Sequence, residues 1–101
     1  MILKNEQQLK EMLNEGVVVL DFFATWCNPC KMLSPIIDTL EDEMKDVKFI
    51  KINVDDYPEL AVEYGVSTIP NLKIIKRGEV VDTLGGFMPK QILESKINPH
   101  R

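Results

Sequence analysis

The sequence predicts an α/β fold: a mixed four- to five-stranded sheet flanked by helices on both faces, with residues 1–101 forming a single domain. Two features of patterning and one of length carry this. Short apolar runs with strand composition alternate with stretches whose apolar residues recur every three or four positions, giving the order (β)αβαβαββα. Strands joined through helices imply a parallel core, and the last two strands, separated only by a turn, add an antiparallel hairpin. A chain of 101 residues is one domain on length, and one that buries roughly 60–70% of the surface its unfolded chain exposes.

Ile2-Leu3 is short enough for an edge strand only. Asn5 then stands as an N-cap, Leu9, Met12 and Leu13 form a modest apolar face, and Gly16 stops the helix. Val17-Val18-Val19-Leu20-Asp21-Phe22-Phe23 is the first well-defined strand. Past Ala24-Thr25, the residues Cys30, Leu33, Ile37, Leu40 and Met44 mark one face of a helix reaching about Lys45. Pro35 lies inside that helix, where it removes one backbone hydrogen bond and predicts a kink.

Residues 47–54 alternate as a second strand and end in Asp55-Asp56-Tyr57-Pro58, a helix-start signal. A short helix over residues 59–64 closes at Gly65. A loop ending at Ile69-Pro70 leads into a strand over residues 71–76. Arg77-Gly78-Glu79 turns the chain, and residues 80–84 return as the hairpin partner. After Gly85-Gly86, Pro89 opens a last helix with Ile92, Leu93 and Ile97 on one side, ended by Asn98-Pro99. Repeats, linkers and low-complexity stretches are absent from this reading.

Composition excludes several function classes. Hydrophobic residues at 45% and charged residues at 28% are ordinary for a soluble globular protein. Twelve Lys+Arg against 16 Asp+Glu give a net charge of −4 with no basic patch, which argues against a nucleic-acid partner. The longest apolar stretch meets Asp21 after four residues, so a membrane span is not expected. The N-terminus turns polar at once, without the pattern of a signal peptide, so a cytoplasmic location is expected; a processed export sequence would look the same.

The chemistry concentrates in Trp26-Cys27-Asn28-Pro29-Cys30, which holds both cysteines and the only tryptophan of the chain. The pair stands where a strand gives way to a helix N-terminus. A thiolate is the species that attacks a disulfide, and free N–H groups and the helix dipole stabilise it there. Projection on the helix makes Cys30 core-facing and Cys27 the exposed member. The roles follow: Cys27 attacks, a mixed disulfide forms, and Cys30 displaces the substrate. Pro29 suits the first turn, where its missing N–H would have had no partner. A purely structural disulfide is a poor alternative, because two intervening residues close too small a loop to remove much unfolded-chain entropy. A structural metal site needs about four ligands, and only His100 could join the cysteines as a soft one, so no metal is expected.

Asp21 is the second informative residue. A carboxylate within a strand buried on both faces is costly when charged and unpaired. Two readings stand: an aspartate at the rim of a strand end, or a proton acceptor beneath the cysteines whose raised pKa lets it deprotonate Cys30. Lys51, in the next strand, either neighbours and tunes Asp21 or extends its ammonium to solvent.

With Asp21-Phe22 ahead of Trp26-Cys27-Asn28-Pro29-Cys30-Lys31, then Pro35, Lys51, Asn53-Val54-Asp55, Tyr64-Gly65-Val66, Ile69-Pro70 and Gly78, the chain resembles the thioredoxin family over essentially its whole length. The resemblance implies a thioredoxin-like fold and a thiol–disulfide oxidoreductase that reduces protein disulfides in cell redox homeostasis. It implies a cis Ile69-Pro70 bond lying against a redox-active Cys27–Cys30 pair, and backbone pairing of Ile69 with an extended substrate segment. Trp26, Asn28, Pro29, Ile69, Pro70, Gly85 and Gly86 would then form the substrate-binding surface. It implies no bound cofactor and re-reduction by thioredoxin reductase, an NADPH-dependent flavoprotein; a monomer is the default expectation. The candidate disulfide-containing substrates that the resemblance implies are ribonucleotide reductase, peroxiredoxin and methionine sulfoxide reductase.

Three positions depart from the family pattern. Asn28 stands where Gly is usual, Phe23 where Trp is usual, and Asn71 where Thr is common. None removes a catalytic group, although Asn28 lies between the thiols, where the family tunes its potential. Two rival functions remain on sequence alone: a disulfide oxidant or isomerase of the same fold, and a non-redox partner-binding module using the Ile69-Pro70 groove.

Overall fold

A computed structural model describes residues 1–101. Its elements are α1 (Glu6–Met12), β1 (Val17–Phe23), α2 (Asn28–Glu43), β2 (Val47–Asn53), α3 (Pro58–Glu63), β3 (Asn71–Lys76), β4 (Glu79–Gly85) and α4 (Lys90–Ile97), followed by a 3-10 turn over Asn98–His100. The four strands form one sheet in the order β2-β1-β3-β4.

Local chemistry sets the boundaries. The Asn5 side chain accepts a hydrogen bond from the Gln8 N–H at 2.8 Å and starts α1. That cap also decides the fate of the first residues. With α1 beginning at Glu6, the expected first strand shrinks to an isolated parallel bridge between Ile2 and Lys51, so the sheet has four strands rather than five. β2 stops at Asn53, one residue earlier than its alternation predicts, because the Asn53 carboxamide turns back to accept the Asp55 N–H at 2.9 Å. Arg77 and Gly78 both have positive φ, 55° and 81°, the backbone of a two-residue hairpin turn that matches the twist of the flanking strands. α2 continues through Pro35 to Glu43.

The parallel core is narrower than expected. β1 and β2 are parallel, with Asp21 beside Lys51, but β3 runs antiparallel to β1 although a helix precedes it. Helix length explains the difference. The 16 residues of α2 rise about 24 Å, enough to carry the chain back along a strand of about 23 Å. The six residues of α3 rise only about 9 Å, so the chain enters β3 from the end at which β2 finished.

Each face of the sheet carries its own core. Val17, Val19, Phe49, Leu72 and Ile74 pack with Leu33, Ile37 and Leu40 of α2 and Leu93 and Ile97 of α4. Val18, Leu20, Phe22, Ile50, Ile52 and Ile75 pack with Leu9 of α1 and Leu60 of α3. β1 is thus covered on both sides, which accounts for its unbroken apolar run. Asp21 interrupts it on the α2 face. The C-terminal ends of β1 and β2 and the start of β3 meet at one end of the sheet, where the cysteines lie.

Candidate functional site

β1 ends at Phe23, whose carbonyl accepts the Val54 N–H at 2.9 Å, and Ala24–Trp26 turn the chain into α2. Cys27 is the N-cap of α2, with φ −91° and ψ 109°, and Asn28 and Pro29 open its first turn. Sγ of Cys27 accepts the backbone N–H of Cys30 at 3.3 Å. A sulfur therefore occupies the capping position that a serine or aspartate oxygen usually takes, where a helix presents its unpaired N–H groups and the positive end of its dipole. Cys27 and Cys30 are joined as a disulfide, with Cα atoms 5.2 Å apart.

The expected contrast between an exposed Cys27 and a buried Cys30 is not found. They are 6% and 4% exposed, packed together with Ala24 and covered by Phe23, Val54 and Ile69. Helical projection misplaces Cys27 because a cap residue has extended backbone and does not belong to the helical wheel. Trp26, by contrast, is 67% exposed, and its indole N–H donates to Asp55 at 2.9 Å. Asn28 and Pro29 are exposed beside it.

The Ile69-Pro70 peptide bond is cis. Pro70 is buried and Ile69 half-buried against the cysteine cluster, while the N–H and C=O of Ile69 make no hydrogen bond within the chain. The Gly86 N–H donates to the Pro70 carbonyl at 2.9 Å, tying the Gly85-Gly86 segment to this loop. A Cβ built on Gly85 or Gly86 meets no atom within 4 Å, although Gly86 needs glycine for its φ of +82°. Asn71, the next residue in the chain, is buried with its carboxamide oxygen unpartnered.

Beneath the cysteines, Asp21 is 3% exposed and its Oδ1 has no hydrogen-bond partner in the protein. Burial pushes its pKa from 3.8 up to about 6; the Lys51 charge pulls against that shift and Asp38 adds to it. Asp21 is therefore a buried carboxyl and not a rim aspartate. Asp21 and Cys30 share a cavity of about 300 Å³, lined also by Ile2, Phe23, Thr25 and Lys51. Lys51 does not extend to solvent. Its ammonium donates to Ser34 Oγ and to Asp38 Oδ1, each at 2.7 Å, beneath α2.

Three participants escaped the sequence reading: Asp55 on the Trp26 indole, and Ser34 and Asp38 on Lys51. The last two had a signal. Cys30, Ser34 and Asp38 are spaced four apart, so they form a polar row bordering the apolar stripe of α2. The sequence-predicted residues Cys27, Cys30, Asp21, Lys51, Ile69 and Pro70 converge on one end of the sheet, with Trp26, Asn28 and Pro29 at its rim and Gly85-Gly86 joined through Pro70.

The arrangement can carry dithiol–disulfide exchange, and the comparisons with known proteins agree. The protein-family model described as thioredoxin matches residues 1–99. A thioredoxin of Bacillus subtilis is 47% identical over 96 residues, covering 94% of this chain and 92% of that protein. Among solved structures, a thioredoxin of Nicotiana alata superposes with a TM-score of 0.91 at 35% identity, covering 100% of this chain and 91% of the other. A structure described as showing the thiol-resolving mechanism of yeast mitochondrial 1-Cys peroxiredoxin via glutathione/thioredoxin systems matches with a TM-score of 0.87 at 31% identity, over 98% and 93% of the two chains.

Proposed function

The chain belongs to the thioredoxin family, and on that premise we propose that Cys27 is its nucleophile, Cys30 its resolving thiol and Asp21 the acceptor of the Cys30 proton. The protein is a thiol–disulfide oxidoreductase, a protein-disulfide reductase with a redox-active cysteine pair. The relatives do not favour an oxidant, an isomerase or a non-redox binding module. Residues 1–101 work as one thioredoxin domain.

The observation that carries the assignment of roles is the capping position of Cys27. Its sulfur already accepts the Cys30 N–H, so a negative charge there is met by a donor and by the helix dipole. The Cys27 thiolate attacks one sulfur of a substrate disulfide; that S–S bond breaks and the other substrate sulfur leaves as a thiolate, protonated from water. The Cys30 thiol gives its proton to the Asp21 carboxylate through their shared cavity. The Cys30 thiolate then attacks Cys27 Sγ, the Cys27–Cys30 disulfide forms, and the second substrate sulfur departs. Two electrons pass from the chain to the substrate. With a pKa of about 6, Asp21 is mostly ionised at neutral pH and still basic enough to take a proton.

Substrate lies across Trp26, Asn28, Pro29, Ile69, Pro70 and the open Gly85-Gly86 edge. The free N–H and C=O of Ile69 support pairing with an extended segment, as in strand addition. Lys51 tunes Asp21 through its charge. An external two-electron donor, thioredoxin reductase drawing on NADPH, restores the dithiol, and the chain holds no cofactor of its own. Among substrates we place peroxiredoxin first, since a related structure is described with one, followed by ribonucleotide reductase and methionine sulfoxide reductase. No helix is long and apolar enough to cross a membrane. A net reductant suits the cytoplasm, where thiols are kept reduced, and we place the protein there as a monomer.

The test is the equilibrium reduction potential of Cys27–Cys30, titrated in a thiol buffer and read by Trp26 fluorescence. The expected value is more negative than the glutathione poise of about −220 to −260 mV. A value above that range makes electron flow to most substrates unfavourable by about 1.4 kcal/mol for each 30 mV, and would replace the reductase reading with an oxidant or isomerase.

A further inference from the structure

We propose that Ser34 and Asp38 are positioning residues that hold the Lys51 ammonium on α2 and thereby keep the Asp21 carboxyl free to take the Cys30 proton. The inference rests on the reading of Asp21 as proton acceptor and adds how that state is maintained.

Asp21 and Lys51 are register partners on adjacent parallel strands, so their side chains leave the same face of the sheet. Two opposite charges so placed would ordinarily pair, and a paired carboxylate is held ionised with its proton affinity reduced. Here the ammonium is drawn elsewhere. Two of its three N–H donors go to Ser34 and Asp38 at 2.7 Å, while Oδ1 of Asp21 has no partner in the protein. Ser34 lies one turn beyond Cys30 and Asp38 one turn further, so the same helix that carries the resolving thiol carries the clamp.

The two clamp residues act differently. Asp38 supplies a charge that offsets the ammonium as felt by Asp21, and its own charge adds to the carboxyl's proton affinity. Ser34 supplies geometry alone, because its hydroxyl is neutral. The groups facing Asp21 are few: Lys51 from β2, Cys30, Lys31, Ser34 and Asp38 from α2, and the uncharged Leu72 from β3 and Ile2 from the N-terminal segment. Without the Ser34 hydroxyl, the Lys51 ammonium is held by Asp38 alone, and the unpartnered carboxyl oxygen of Asp21 lies in the same cavity.

Ser34→Ala removes no charge, and a Lys51→Met background separates a change in Asp21 titration that passes through Lys51 from one that does not. The measurement is the Asp21 carboxyl midpoint by carbon NMR in the disulfide form, with the pH profile of mixed-disulfide resolution beside it. Ser34→Ala is expected to lower the midpoint by on the order of one pH unit and to move the acid limb of the profile with it. Asp38→Asn is expected to lower it further, and Ser34→Thr, which restores the hydroxyl, to return it toward the parent value. In a Lys51→Met background, adding Ser34→Ala should leave the midpoint unmoved. A wild-type midpoint in Ser34→Ala, or a shift that persists without Lys51, overturns the proposal. A shifted midpoint together with a profile unchanged by Asp21→Asn overturns the proton-acceptor reading itself, and with it the catalytic purpose given to Ser34.

Discussion

Replacing Asp21 with Asn should stabilise the fold, and by an amount that grows with pH. Asp21 is 3% exposed and its carboxyl titrates at about 6 in the folded chain against 3.8 ordinarily, with burial the main cause. A shift of about two units corresponds to about 3 kcal/mol, at about 1.4 kcal/mol per unit. Because the folded pKa of an acid is raised, the folded chain binds more protons than the unfolded chain between these values. Stability therefore falls as pH rises from about 4 to about 6, and the whole cost is present above that range. Asparagine is neutral and close in size, so it escapes the cost. Urea unfolding of the disulfide form, followed by far-ultraviolet circular dichroism at several pH values, measures it. Taking the difference between the two proteins cancels the other carboxylates. The variant should exceed the parent by about 3 kcal/mol at pH 7.5 and differ least near pH 4, a shift in Tm on the order of 10 to 20 °C for a chain of this size. A difference independent of pH, or a variant less stable at pH 7.5, would refute the assignment of a buried, destabilised carboxylate.

Other expectations concern packing, capping and substrate access. Leu33 is fully buried between α2 and the sheet, so Leu33→Ala should cost about 2–5 kcal/mol in urea unfolding, and a smaller loss would mean the interface collapses around the gap. Asn5→Ala removes the α1 cap and should cost about 1 kcal/mol, with faster amide hydrogen exchange confined to residues of α1. At Gly85, where a Cβ meets open space, Gly85→Leu should leave stability nearly unchanged; it should raise KM several-fold for a protein disulfide and not for a small disulfide. Equal effects on both substrates would remove this segment from the docking surface.

The elements legible in the sequence are those governed by near neighbours. Asn5 capped α1, Gly65 with φ +67° ended α3, and Arg77-Gly78 reversed the hairpin, each by chemistry contained within a few residues. The apolar run of β1 and the stripe of α2 located the cysteine pair between them. What escaped depended on distant geometry. The direction of β3 turned on α3 being too short to span the sheet, and Cys27 was buried by Val54 and Ile69, far from it in sequence. The fate of Lys51 depended on α2 lying over β2 so that Ser34 and Asp38 reach its ammonium. The cis bond before Pro70 was expected only through resemblance, since its local sequence gives no reason for it.

The most direct test of the exchange mechanism is to trap its intermediate. Cys30→Ser, reduced and mixed with a disulfide-bonded protein, should stop after the first step, leaving substrate covalently attached at Cys27. Peptide mapping by mass spectrometry under non-reducing conditions would place the adduct. An adduct at Cys27 in this variant, with none formed by Cys27→Ser, is the predicted result. Turnover retained by Cys27→Ser, or substrate attached to Cys30 in that variant, would contradict the assignment of the helix-capping sulfur as the nucleophile.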